Sequence, residues 1–287
     1  MTRGIALCLM IVAPVLWSTG GVVTRHLQQA GSFEQVFWRS FFAFAFILVL
    51  ENRNPWKAVR AAGLPGLACS VLWAVMFTAY IVALSLTSTA NTLVVIGLSP
   101  LITAVIARLA LADPVPARTW IAIPAAAAGI AWMFRDGVAA DHVSGMLVAA
   151  LIPVAGAINV VTLRGASARF DLVPSVMLGA LLSCLVALPF ASFGATPRDL
   201  LLLALLGVFQ LGLPCVLLVV ASRALLAPEL ALLGLLEVVL GPIWAWLGAG
   251  ETPSAATLSG GALVVAALAL NELASLRLRP YARAPRP

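Results

Sequence analysis

Hydrophobic residues run along this chain in long blocks, without the strict polar/apolar alternation of half-buried strands. Such blocks suit a bilayer, whose roughly 30 Å hydrocarbon core takes about 20 helical residues to cross. Cutting the blocks at Gly, Pro and charged breaks predicts ten helical spans, at about 5–24, 34–50, 64–85, 90–111, 118–134, 144–163, 173–193, 200–221, 229–248 and 256–275. The fifth is short, and only the polar turn LSLTSTAN joins the third to the fourth. The connections are too brief for a soluble domain, so one compact membrane domain is expected to use the whole chain. The first block resembles a signal peptide in position. It continues to about residue 24 with no small-x-small cleavage site and is taken as a span.

Composition agrees. Hydrophobic residues make up 62% of the 287, charged residues 10%, and mean hydropathy is +1.08. Soluble domains carry about 25% charge. The expectation is therefore an all-α integral membrane protein, since the alternating pattern of a membrane barrel is absent. A net charge of +6 would suggest nucleic acid, but the basic residues form no cluster fit for a phosphate footprint. They lie at span ends instead. With ten spans, thirteen of the seventeen Lys and Arg residues fall on the side of both termini, and only Arg25, Arg135 and Arg198 fall opposite. Arg39 lies within the second span. The positive-inside rule then places both termini in the cytoplasm, with the protein in the cell's inner (plasma) membrane. Trp56, Trp120 and Trp132 near span ends read as interfacial anchors. Cys8, Cys69, Cys184 and Cys215 sit in apolar runs at spacings that match no metal motif, and no cofactor motif appears.

Shifted by 138 residues, GLSPLITAVIARLALAD (97–113) falls on LLEVVLGPIWAWLGAGE (235–251). Three of the seventeen positions are identical, and both segments end on an acid, Asp113 and Glu251. The first and sixth spans align at nearly the same shift. Two repeats follow, residues 1–137 and 138–287, the second ending in a short basic tail. Five spans per repeat is odd, so the second half must lie inverted relative to the first. Inverted repeats are a transporter architecture with the solute site near the midplane.

The segments WSTGGVVTRHL (17–27), FWRSFFAF (37–44), STANTLVVIGLSPLITAVIARLALAD (88–113), GVFQLGLPCVLLVVASRAL (207–225) and LLEVVLGPIWAWLGAGETPS (235–254) carry a resemblance to a known family. The chain resembles a ten-span EamA-type member of the drug/metabolite transporter superfamily over nearly its whole length. In that family the fourth and ninth spans each typically carry a Pro near the centre and end in Gly-Glu. Pro100, Pro242 and Glu251 fit this pattern, whereas Asp113 replaces the first acid and Val238 the Pro expected after Glu237. The resemblance implies two inverted five-helix repeats and a transport function, without naming a solute.

Glu237 is the only charge in the 19 residues of LLGLLEVVLGPIWAWLGAG. A carboxylate at that depth costs about 2.5–3.5 kcal/mol on insertion scales, so it needs a partner, a proton or a wet cavity. Its helical face carries Trp244 and a track of Gly234, Gly241 and Gly248. It is read either as a cavity acid or as a structural Glu beside a Gly packing seam. Arg39 either snorkels to the interface, or faces a cavity as an anion receptor and candidate partner of Glu237. Trp17 and Ser18 would line a solute path or simply pack, with hydroxyls bonding back to the preceding turn. Gln210 and Asn159 are neutral polar groups inside spans that must find partners. Ser99 is the counterpart of Glu237 in the first repeat.

These residues point to a secondary transporter moving a small metabolite, an amino acid or drug-like solute, by export and alternating access. Proton coupling through Glu237 and facilitated diffusion both remain open. A non-transporting scaffold or receptor is the main alternative. A membrane enzyme lacks support: His26 and His142 lie apart at span ends, and neither HExxH nor a Walker loop is present.

Overall fold

The computed structural model describes residues 1–51, 54–87, 89–112, 115–135, 143–249 and 254–277, which are mainly helical with no strand among them. Ten spans cover the predicted blocks. They are α1 (Arg3–Thr24), α2 (Ser32–Leu50), α3 (Gly63–Leu86), α4 (Asn91–Ala110), α5 (Ala117–Met133), α6 (Val143–Ala166), α7 (Val173–Phe190), α8 (Pro197–Ala221), α9 (Ala227–Gly248) and α10 (Ala255–Ala274). Nine are long and apolar enough to cross a membrane. The tenth, α5, has 17 residues, at the short end of the spanning range of about 17–25. A short helix, Pro55–Ala61, precedes α3. Asp113, His142, Glu251, the 137/138 repeat boundary and the tail beyond Arg277 lie outside the described residues.

Packing repeats with the halves exchanged. The helix α2 packs on α7, α4 on α9 and α5 on α10, while the α3–α6, α3–α7 and α4–α6 contacts recur as α8–α1, α8–α2 and α9–α1. Two five-helix repeats related in this way are the inverted architecture the odd span count requires.

One pair of helix breaks repeats as well, whereas the break in α1 at Thr19 has no counterpart in the continuous α6. The span α4 interrupts at Gly97–Leu98 and resumes as Ser99–Ala110; α9 interrupts at Leu235 and resumes as Leu236–Ala249. At the 138-residue shift these are the same place. In α4 the cause is Pro100, which has no N–H to donate to the Ile96 carbonyl. The Ser99 hydroxyl donates to that carbonyl instead, at 2.6 Å. No proline sits at the break in α9, where Val238 occupies the expected position. There the chain tightens through three-residue bonds, Leu235 N–H to Leu232 at 3.0 Å and Val238 N–H to Leu235 at 3.0 Å.

Close approaches fix the seams. A Cβ on Gly260 of α10 would lie 2.5 Å from the Gly129 carbonyl of α5, so those backbones touch, and the buried Thr119 hydroxyl donates to Asn271 Oδ1 at 3.0 Å along the same seam. At one end of the bundle Arg3 clasps three helices, donating to Glu229 at 2.7 and 3.1 Å and to Glu272 at 2.9 Å. At the other end, Asp199 accepts the backbone N–H groups of Gln28 (2.8 Å) and Gln29 (3.1 Å). There too Glu34 accepts from Gly194 (3.1 Å) and Ala195 (2.8 Å).

Candidate functional site

A cavity of about 170 Å³ lies between the repeats, walled by α1, α2, α3, α4, α6, α8 and α9. The helices α5, α7 and α10 contribute nothing to its wall. The two spans broken at the matching position, α4 and α9, both face it. Ser99 and Thr103 line it from the resumed part of α4, and Gly234, Leu235 and Glu237 from the break in α9. The peptide break thus sets a first-turn residue of each half-helix against the same space, Ser99 from one half and Glu237 from the other. Among the described residues no group bonds to the Glu237 carboxylate.

Arg39 projects from α2 into this wall and is 3% exposed, so it does not snorkel. Its guanidinium donates to the Phe77 carbonyl at 2.9 Å, approaches Gln210 Oε1 at 3.5 Å and lies 5.9 Å from the Tyr80 ring centroid. It forms no ion pair with Glu237, its candidate partner. The physical reason is local: the Phe77 carbonyl and the Gln210 amide hold it on the α2–α3–α8 side.

Gln210 lines the cavity from a part of α8 that winds as a π-helix over Leu206–Gly212. Pro214 cannot donate to the Gln210 carbonyl four residues back, which favours the wider turn there. The amide nitrogen also donates weakly to the Trp17 carbonyl at 3.4 Å. Gly20 makes room, since a Cβ there would sit 2.9 Å from Gln210 Nε2.

The other candidates separate. Trp17 lines the cavity. Trp244 and Ser18 do not; they meet each other instead, Trp244 Nε1 donating to the Ser18 hydroxyl at 2.8 Å. Ser18 itself donates back to Val15 at 2.7 Å. Asn159 is fully buried on α6 with neither amide atom hydrogen-bonded, away from the cavity wall. The glycine track is not one packing seam. A Cβ at Gly234 or Gly241 would meet open space, and only Gly248 presses on α1, at Val22.

Sequence reasoning passed over the aromatic face of α3. Trp73, Met76, Phe77 and Tyr80 share one side of the helix and line the cavity, with Trp73 stacked on Phe77 at 5.4 Å. Their i, i+3, i+4, i+7 spacing was a readable signal.

The sequence profile of the EamA-like transporter family matches residues 4–135 and again 143–273. The chain belongs to the EamA-like transporter family. The two matched stretches are the two repeats of the packing, each contributing to the cavity of this EamA-like protein a helix interrupted at the same repeat position. A solved structure described as "Crystal structure of protein" aligns with a TM-score of 0.80 at 20% identity, over 97% of this chain and 100% of that one. At that identity the likeness shows the fold. No curated protein matches the chain. The family and the spans together make this a multi-pass membrane transporter of the drug/metabolite superfamily.

Proposed function

We propose that the protein is a secondary transporter that exports a small metabolite, an amino acid or drug-like solute, by alternating access, and that it is not an enzyme. One observation carries this reading: both repeats interrupt a helix at the same cavity, and one break presents an unpartnered carboxylate. Interrupted helices at a repeat interface are where secondary transporters hold solutes and coupling ions. The repeats, residues 1–137 and 138–287, would rock about this cavity. Both termini would face the cytoplasm of an inner-membrane protein, following the bias of basic residues.

Purified protein in liposomes tests the reading. Uptake or release of radiolabelled amino acids should exceed that of protein-free vesicles and fall at least about tenfold in Glu237→Gln. Lack of flux for every solute tried, with the protein correctly folded, would count against transport. Glu237 is the candidate proton carrier. In that case an imposed pH gradient should accelerate wild-type flux, and flux indifferent to the gradient would leave facilitated diffusion.

A further inference from the structure

A broken helix and a straight one occupy equivalent places in the two repeats. In α1 the helix stops at Ser18, turns at Thr19 and resumes as Gly20–Thr24. Its mate α6 runs unbroken from Val143 to Ala166. One hydrogen bond recurs at the 138-residue shift: the Thr24 hydroxyl donates to the Gly20 carbonyl at 2.9 Å, and the Thr162 hydroxyl to the Ile158 carbonyl at 2.7 Å. Thr19 therefore matches Ala157. Each helix also carries a proline at nearly the same level, Pro14 and Pro153.

The two helices differ in the polar groups beside the matched position. The break in α1 is satisfied locally. The Thr19 N–H bonds the Leu16 carbonyl three residues back at 3.3 Å, and the Ser18 and Thr19 hydroxyls donate to Val15 and Leu16 at 2.7 Å each. In α6 Gly156 and Ala157 stand there and have no hydroxyl. Two residues on comes Asn159, 0% exposed, with Nδ2 and Oδ1 both unpartnered among the described residues. A buried amide bonded at neither end disfavours the conformation that holds it. An intact helix has already paired its own backbone groups in the ladder. A turn at Ala157 would free carbonyls before it and N–H groups after it, and Asn is among the best residues for capping such ends. Pro153 and Gly156, poor residues for a helix interior, stand within the preceding turn.

We propose that α6 carries the closed form of the α1 break: a hinge at Ala157 that opens when α1 straightens, with Asn159 capping it in that state. The proposal rests on the transport reading above, in which the cavity opens to each side of the membrane in turn. Because the repeats are inverted, each takes in one state the shape that the other has in the opposite state. The conformation described here holds one hinge open and its mate shut.

Hydrogen–deuterium exchange of the purified full chain, read on peptides covering residues 157–161, tests the hinge. Asn159→Leu keeps the branched shape and loses both capping groups. It should slow exchange there about tenfold or more and raise the unfolding midpoint. Asn159→Ser retains a capping hydroxyl and should stay within about threefold of wild type. Thr19→Ala gives α1 the residue that α6 has at the matching place and removes a hydroxyl bond from the open break. It should speed exchange at 157–161 about threefold, although no extended packing joins α1 to α6. An Asn159 with only a local structural role would give no such response. Exchange unchanged by Asn159→Leu or by Thr19→Ala overturns the proposal. So does slowing by Asn159→Ser equal to that by Asn159→Leu, or a lowered midpoint in Asn159→Leu, the mark of a buried water bonded to the amide. Should Asn159→Leu fail to fold, Thr19→Ala decides by itself. Flux separates the two claims: exchange that responds as stated in a protein carrying no solute keeps the hinge and removes transport. Solute carriage with exchange indifferent to both substitutions does the reverse.

Discussion

Ala112 follows the last turn of α4 with φ +51, a left-handed conformation in which a Cβ is strained by about 1–2 kcal/mol. Ala112→Gly should therefore stabilise the protein by about 0.5–1 kcal/mol, read as a higher unfolding midpoint in detergent. Gly20 is the opposite case. Its missing Cβ leaves space for Gln210, so Gly20→Ala should displace that amide and weaken solute binding, while its overpacking costs about 1–3 kcal/mol of stability. Unchanged affinity in a folded Gly20→Ala protein would mean that Gln210 does not shape the site. At this scale the sequence was partly legible. Glu237 stood out because one acid in an apolar run needs an explanation. The Arg39–Gln210–Phe77 arrangement could not be read, because it joins residues from three helices. Trp244 shared a face with Glu237 on the helical wheel, yet its indole N–H found Ser18 on α1 and turned away from the cavity.

Among the elements, α1 is held at its start by ion pairs. The Arg3 guanidinium is bidentate on Glu229 and bonded to Glu272, with all three side chains at most 16% exposed. Charged hydrogen bonds of this kind contribute about 1.5–3 kcal/mol each, so Arg3→Met should lower the unfolding midpoint clearly. If α1 must separate from α9 and α10 during the cycle, the same variant should also change the rate of flux, which a purely static clasp would not do. The span pattern made nearly all the helices legible, including the short α5. The break in α9 was less so. Its proline is displaced to Pro242, and the break comes from three-residue bonding that no residue type announces.

The molecule as a whole separates its stabilising seam from its site. The helices α5 and α10 touch backbone to backbone at Gly129 and Gly260 but stay off the cavity wall. Gly260→Ala should cost about 1–3 kcal/mol in thermal unfolding and leave the affinity for a bound solute unchanged. A parallel loss of affinity would show that the seam positions the site. The inverted architecture was legible from an odd span count and a faint self-alignment at 138 residues, because both follow from chain arithmetic. The cavity's outline was not, since it depends on how the two halves meet. The π-turn of α8 has a consequence for motion. It stores one residue of slack in the middle of a span whose Asp199 end is fastened to the α1–α2 connection. Rewinding that turn to α geometry would rotate the segment beyond it by about 100°, one residue's angular step. Gln210 and Cys215 would then change their bearing on each other while the fastened end stayed where it is.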